Sequence, residues 1–436
     1  MMARILILDL NPQCIHPDLS IAYLVTPLRA AGLQVDVKTL CTDIQQLPPQ
    51  KSKHTLSPVD LNLTTIQKYL EDTQPALILI PSYLHHYAAV QVLAKLTADL
   101  TLPVILGGAC LSACRSEDLP LWLNLEGVTA VFVGEADWVI ADLVDTLLSK
   151  QNLSAWPGIC QRGVELETTT APPLQELDLL PLPDFSDFAW PSYPRAFIPI
   201  LTGRHTLLET GQTVYNSRPV QAVLEELKIQ AERYQRKAFI FLDTSLNTNL
   251  AMWHGLIDTI QAVVPGCQWL ATVHLDGKHE LGLDLATFVA ARAAGLRHVN
   301  ISLDATQTLR QGKILNAALE RNRALVAHAY QAGLSVRCVV HNQNLLTNLA
   351  DLPNTNDFLL RKLVETEQAK QQVIRLEAEQ TLHQPQSLHL NSANSPSKPL
   401  IKTINSSPPK PNVWQRFKKS LVSHKNLQTT EVNQSI

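Results

Sequence analysis

The chain has 436 residues, 45% of them apolar and 17% charged, with a formal net charge of −3. That length holds two ordinary domains with residues to spare, and the near-neutral balance gives no electrostatic case for nucleic-acid binding. No run reaches the roughly 18 consecutive apolar residues of a spanning helix. The seven cysteines, at 14, 41, 110, 114, 160, 267 and 338, are scattered and odd in number, which argues against a disulfide framework and for a reducing cytoplasm.

In chain order, MMARILILDLNP is too short and too alternating for a secretory signal and reads as a strand over 4–10, closed by the turn signal Asn11-Pro12. Residues 20–31 have helical spacing and stop at Gly32. Strands are then expected over 33–40, 76–80, 104–106 and 128–133, and helices over 87–100 and 137–149. Short apolar strands alternating with helices imply a parallel sheet covered on both faces, with its ligand crevice at the carboxyl ends of the strands. This first α/β domain spans 1–150.

Residues 151–196 form a linker, too proline-rich for a helix or central strand, but carrying Leu, Phe, Trp and Tyr that suit it to lie along a surface. A second strand–helix series covers 197–345, with strands at 197–201, 238–243, 269–275, 298–303 and 335–340 and helices including 219–233, 284–294 and 316–332. Five such units suggest an incomplete parallel (β/α) barrel. Residues 346–382 hold a charged helix over 356–382. Residues 383–436 are a basic low-complexity tail with seven Lys and Arg against one Glu. Within the tail, 413–425 places Trp414, Phe417, Leu421 and Val422 near one side of a short helix. That segment reads either as a weak membrane or partner contact or, the reading preferred, as part of a solvated tail.

This layout resembles the cobalamin-binding radical SAM (S-adenosylmethionine) family: a parallel α/β domain, an LPLPDF-type connector, then a partial barrel, over roughly 3–345. Ser82-Tyr83-Leu84 and Gly107-Gly108 resemble the family's Ser-x-Leu and Gly-Gly pieces beside the cofactor's nucleotide tail. Phe132-Val133-Gly134-Glu135-Ala136 resembles its VxGEGE turn, whose Glu opens the last helix of the domain. The resemblance implies cobalamin as a cofactor, with Ser82, Leu84, Gly107, Gly108, Gly134 and Glu135 as candidate binding residues. The family's Asp-x-His-x-x-Gly cobalt-ligand motif is absent; His16 lies in the corresponding loop at the wrong spacing.

The second half departs from the family where its chemistry begins. Members carry Cys-x3-Cys-x2-Cys after the first barrel strand, three thiolates for a [4Fe-4S] cluster. Here His205, Glu209 and Gln212 stand at that spacing. Harder oxygen and nitrogen ligands suit iron–sulfur clusters poorly, so no cluster is expected, and the loop is read as one that tolerates substitution. His205 and Glu209 alone fall short of a zinc set, and Cys110 and Cys114 read as ordinary small residues. The SAM site survives in part by resemblance: Asp243 and Asn249 match DDxFxxN, and Ser302 and Asp304 match the fourth strand. SAM binding is doubtful on this pattern, and no catalytic or metal residue is assigned.

Three functions follow. The leading one is a non-catalytic relative acting as a binding or partner protein, its partner seated at the open barrel side. The others are an active methyltransferase or rearrangement enzyme with non-cysteine cluster ligation, and a cobalamin-sensing regulator.

Overall fold

The computed structural model describes residues 2–10, 16–40, 61–83, 86–112, 114, 116, 118–153, 156–162, 171, 176–193, 196–207, 213–274, 282–303 and 312–340. The first sheet is built from β1 (Arg4–Asp9), β2 (Gln34–Thr39), β3 (Leu77–Pro81), β4 (Val104–Gly107), β5 (Val128–Phe132) and β6 (Ile159–Gln161). Its order is β2-β1-β3-β4-β5-β6, with every pairing parallel except β5–β6. The sequences RILILD, LILIP, VILG and VTAVF are near-continuous apolar runs because helices cover both faces. Leu6, Leu8, Ile78, Ile80 and Leu106 are each at most 1% exposed, and burial of such a side chain stabilises by about 1.5–3 kcal/mol. β2, at the edge, keeps an alternating pattern.

The helices of this half are α1 (Leu19–Ala30), α2 (Leu63–Thr73), α3 (Tyr87–Asp99), α4 (Ala109–Ser112), α5 (Leu119–Leu123) and α6 (Ile140–Leu148). α1 starts where Asp18 accepts from the Ser20 and Ile21 amides at 2.9 and 3.3 Å, and Asn62 caps α2 through the Thr65 amide at 3.1 Å. Strand order reverses between β1 and β3, which sets the ligand crevice at their carboxyl ends.

The second sheet is wholly parallel, in the order β13-β12-β11-β10-β7. Its strands are β7 (Ile198–Ile200), β10 (Ala238–Phe241), β11 (Gln268–His274), β12 (Leu296–Leu303) and β13 (Ser335–Val340), all at expected positions. α7 (Val220–Tyr234), α8 (Leu250–Val263), α9 (Leu285–Ala293) and α10 (Gly312–Gln331) connect them. Between β7 and α7 stands an unexpected antiparallel hairpin, β8 (Gly203–Leu207) with β9 (Thr213–Ser217). The stretch read as a tolerant loop is therefore paired backbone over both arms.

The proline-rich linker does more than lie on a surface. Arg29 of α1 bonds Asp184 at 2.6 Å and Asp187 at 2.7 Å, and the Asp184 amide donates to the Ala22 carbonyl at 3.0 Å. From α7, Gln230 donates to the Pro183 carbonyl at 2.8 Å and the Tyr234 hydroxyl accepts from the Phe185 amide at 2.7 Å. Phe185 is 0% exposed, ringed by Phe188, Trp190 and Tyr234. The linker is thus mortar between α1 and α7. The expected helix in 346–382, the tail 383–436 and its 413–425 segment lie outside the described residues. No helix among the described residues is long and apolar enough to cross a membrane.

Candidate functional site

The carboxyl ends of β7 and β10 meet at one carboxylate. Asp243, two residues past β10 and 4% exposed, accepts from the Thr202 hydroxyl at 2.8 Å, the Gly203 amide at 3.0 Å and the Thr202 amide at 3.1 Å. The Tyr215 hydroxyl from β9 reaches the same carboxylate at the long limit of 3.5 Å. These bonds fix the sharp exit from β7 into β8. Burial still raises the Asp243 carboxyl above its ordinary range, against the pull of those donors, and burial pushes the Tyr215 phenol up to about 12.

One residue on, Arg204 leaves the hairpin and reaches the turn after β5. Its Nη1 donates to Glu135 at 3.2 Å and to Asp137, and its guanidinium stands 5.6 Å from the centre of the Tyr23 ring on α1. Burial works against this cation, but the two carboxylates outweigh it and hold its pKa above the ordinary value. At the far end of the hairpin, Arg218 donates to the Leu201 carbonyl at 3.0 Å and pairs with Glu226 of α7 at 2.5 Å, the two side chains being 7% and 2% exposed. Burial raises the Glu226 carboxyl despite its partner. The Tyr23 hydroxyl, in the same region, has no hydrogen-bond partner among the described residues. Glu135, Leu201, Gly203, Arg204, Tyr215, Leu242, Asp243 and Thr244 line a cleft of about 260 Å³.

The expected residues distribute as follows. Ser82 is buried; its hydroxyl donates to the Ile80 carbonyl at 3.0 Å and its amide donates to the Gly107 carbonyl at 2.7 Å. Gly108 has φ +110°, and a Cβ there would sit 3.2 Å from the Ser82 backbone; at Gly134, φ +124°, a Cβ would meet Ala171 at 2.7 Å. Both glycines thus serve close packing within the chain. At Gly107 a Cβ would find only Phe132, at 3.9 Å. Glu135 does not open α6, which begins at Ile140; it pairs with Arg204 instead. Asn249 caps α8 through the Met252 amide at 3.1 Å and donates to Ser217 at 2.7 Å. Ser302 lies on β12 in register with His274 and Val339. His205 lies on β8 opposite Tyr215. Leu84, Glu209, Gln212 and Asp304 lie outside the described residues. Cys110 and Cys114 pack against the core of the first sheet, and His16 bonds the Pro17 carbonyl at 2.7 Å.

Of the expected residues, then, Glu135 and Asp243 come together at one cleft, while Ser82, Gly107 and Gly108 gather at the ends of β3 and β4. Arg204, Tyr215, Asp137, Tyr23 and the Arg218–Glu226 pair were not anticipated. No spacing rule links them; the only hint was a lone Arg directly after an apolar strand.

No family model matches the chain, and no curated protein sequence matches it. Solved structures do match, and two of them share the fold over most of the chain. One is the apo form of the cobalamin-dependent S-adenosylmethionine radical enzyme OxsB, at 14% identity and a TM-score of 0.59, covering 84% of this chain but 56% of that one. The other is the radical S-adenosylmethionine methyltransferase TsrM from Kitasatospora setae, solved with its tryptophan substrate and a SAM analog, at 15% identity and a TM-score of 0.55, covering 77% of this chain and 67% of that one. The chain thus spans little more than half the length of OxsB. At these identities the likeness is one of architecture: the chain has a fold similar to that of radical S-adenosylmethionine enzymes.

Proposed function

We propose that this chain is a non-catalytic relative of the cobalamin-dependent radical SAM enzymes, working as a binding or partner protein. The observation that carries the reading is the hairpin at the end of β7. A [4Fe-4S] cluster does not fit the residues present. The chain has no cysteine between Cys160 and Cys267, and Cys267 is 1% exposed beside Gln261. His205, at the first cluster position, offers an imidazole in place of a thiolate, and its backbone pairs with Tyr215 in the hairpin. Asp243, a SAM-site candidate by resemblance, is 4% exposed and accepts from Thr202 and Gly203 of its own chain. Without a cluster no electron reaches SAM, and the family's reaction has no first step.

Cobalamin suits the first sheet better. A Cβ at Gly107 would meet nothing closer than ordinary van der Waals contact with Phe132 at 3.9 Å, so the end of β4, next to the switch point between β1 and β3, is not tightly filled at that position. Ser82 and Gly107 would border the group, which supplies a corrin-held cobalt when bound. The role of these residues is to bind and orient it.

Protein purified without oxygen from cobalamin-fed cells tests both halves. Iron and sulfide should be absent, and SAM with strong reductant should yield no 5′-deoxyadenosine. Stoichiometric iron and sulfide with SAM cleavage would sink the non-catalytic reading. Corrin absorption bands support the cobalamin site; a colourless protein removes it.

A further inference from the structure

The turn after β4 carries two cysteines four residues apart. Cys110 lies in α4, and Cys114 stands two residues beyond its end. The chain keeps winding between them: the Ser112 amide donates to the Gly108 carbonyl at 3.0 Å and the Cys114 amide to the Leu111 carbonyl at 3.2 Å. Winding of that kind separates residues i and i+4 by about 6 Å at Cα, inside the roughly 4.4–6.8 Å that a disulfide spans. Both side chains pack against the core of the first sheet, and the Cys110 thiol is hydrogen-bonded to the Cys114 sulfur. Ser112, between them, is held from a second side by the Gly134 amide, which donates to its hydroxyl at 3.0 Å. The two sulfurs are therefore set against each other before any bond joins them, and closure costs little chain entropy.

Their surroundings differ from those of the other described cysteines. Cys160, Cys267 and Cys338 are at most 5% exposed, and burial pushes all three thiols up, Cys267 and Cys338 to about 11. Such thiols are inert, because the thiolate is the nucleophile. Cys110 and Cys114 are only half-buried, with exposed Ala109 and Ser116 nearby. The hydrogen bond from Cys110 holds the Cys114 thiol below its ordinary value, against burial and the charge of Asp118. An accessible sulfur favoured as thiolate, beside a second that donates to it, is the arrangement of an attacking and a resolving cysteine. The pair does not make a structural metal site. Two thiolates fall short of a zinc set, and no group of three metal-ligating side chains occurs among the described residues.

We propose that Cys110 and Cys114 form a reversible dithiol–disulfide site, oxidised by exchange with a low-molecular-weight disulfide. The Cys114 thiolate attacks one sulfur of that disulfide. The S–S bond breaks, a new one joins one half to Cys114, and the other half leaves as a thiol with the proton that Cys114 gave up. The Cys110 sulfur, losing its proton in turn, attacks Cys114 Sγ and expels the second thiol, which takes that proton. Two cysteine thiols are thus oxidised to one disulfide, and the small disulfide is reduced to two thiols. The seven scattered cysteines make no structural framework, but one exchangeable bond needs none. The site does not depend on whether cobalamin or SAM is bound.

The test takes the full chain, reduced without oxygen and freed of reductant, and incubates it with glutathione disulfide. Alkylation in denaturant and digestion with trypsin follow. Peptide 96–115 holds both cysteines; it should lose two hydrogens and its capacity for alkylation, while Cys160, Cys267 and Cys338 stay reduced. Dithiothreitol should restore it. Cys110→Ser should stop with one glutathione held on Cys114, and Cys114→Ser should form no bridge; circular dichroism checks that both variants fold. Phenylarsine oxide, which joins two neighbouring thiols with loss of water, needs no oxidation. It should label wild type at peptide 96–115 and neither variant there. Peptide 96–115 still fully reduced at equilibrium with excess glutathione disulfide overturns the proposal. So does a bridge from Cys110 or Cys114 to any other cysteine, and so does a wild-type mixed disulfide that never resolves.

Discussion

Replacing Arg204 with Met removes the only cation that the hairpin offers to the turn after β5 among the described residues. Its shape is largely kept. Arg204 is 15% exposed, and its partners Asp137 and Glu135 are 11% and 23% exposed. At 3.2 Å and an effective dielectric of about 20, the Glu135 contact alone is worth about 5 kcal/mol before desolvation is counted. Much of that is offset by the cost of burying the ions, but the offset does not return when only one partner goes. Two carboxylates are left poorly hydrated side by side. Their residual exposure lets water screen part of the loss, so Arg204→Met should cost about 2–4 kcal/mol. Urea titration followed by circular dichroism reads this as a lower midpoint at unchanged slope. Both contacts run through one nitrogen, so Arg204→Lys should recover most of the loss. A double-mutant cycle of Arg204→Met with Asp137→Asn should show coupling above about 1 kcal/mol. A loss below about 0.5 kcal/mol with no coupling would refute the idea that this pair ties the hairpin to the first sheet.

Asp243→Asn replaces one of the two oxygens that face the Thr202 and Gly203 donors with an NH2 group. It should cost about 2–3 kcal/mol and raise hydrogen exchange at the Gly203 amide; unchanged protection there would mean that the β7 exit is held by something else. Tyr23→Phe deletes a buried hydroxyl that no described residue satisfies, so it should be neutral or stabilise by up to about 1 kcal/mol. A clear loss would reveal a hidden partner such as a buried water. Glu226 has a pKa raised by burial above its ordinary 4.5. A carboxyl of this kind favours the folded state most fully below 4.5 and loses that contribution as pH rises through its folded value. The stability advantage of wild type over Glu226→Gln should therefore shrink as pH rises from about 4 upward. Urea midpoints measured across that range should show this slope, and the opposite slope would contradict it.

Most strands of the two sheets were legible as short apolar runs, several closed by Gly, Pro or Asp, and β13 matches its expected bounds at both ends. α2 and the three-residue β6 escaped notice, the first for want of a strong apolar run, the second for its length. The hairpin was missed for a different reason. Its arms, GRHTL and TVYNS, are mostly polar. What holds them is Asp243, 41 residues beyond Thr202, and Asp137, 67 residues before Arg204. Local patterning carries no trace of bonds at that separation. The site was legible in its chemistry and not in its wiring: Asp243 and Glu135 stood out as candidates by resemblance, but their partners are set by tertiary packing. Gly108 and Gly134 show the same limit of the sequence. A glycine reads identically whether it admits a ligand or, as at these two positions, lets two backbone segments of the same chain approach.

The Arg29 clamp has a consequence during synthesis. Its acceptors, Asp184 and Asp187, lie 155 and 158 residues downstream, and Tyr234, which locks Phe185 in place, comes later still. At roughly 5–20 residues per second the ribosome needs about 10–30 s to deliver them. Within that interval β3 to β6 emerge in turn, and the linker that bonds Arg29 comes after all of them. The amino-terminal half therefore waits on the ribosome in an unfinished state, exposed to chaperones and to mispairing. Its completion is timed by translation of the linker and of the helix that follows.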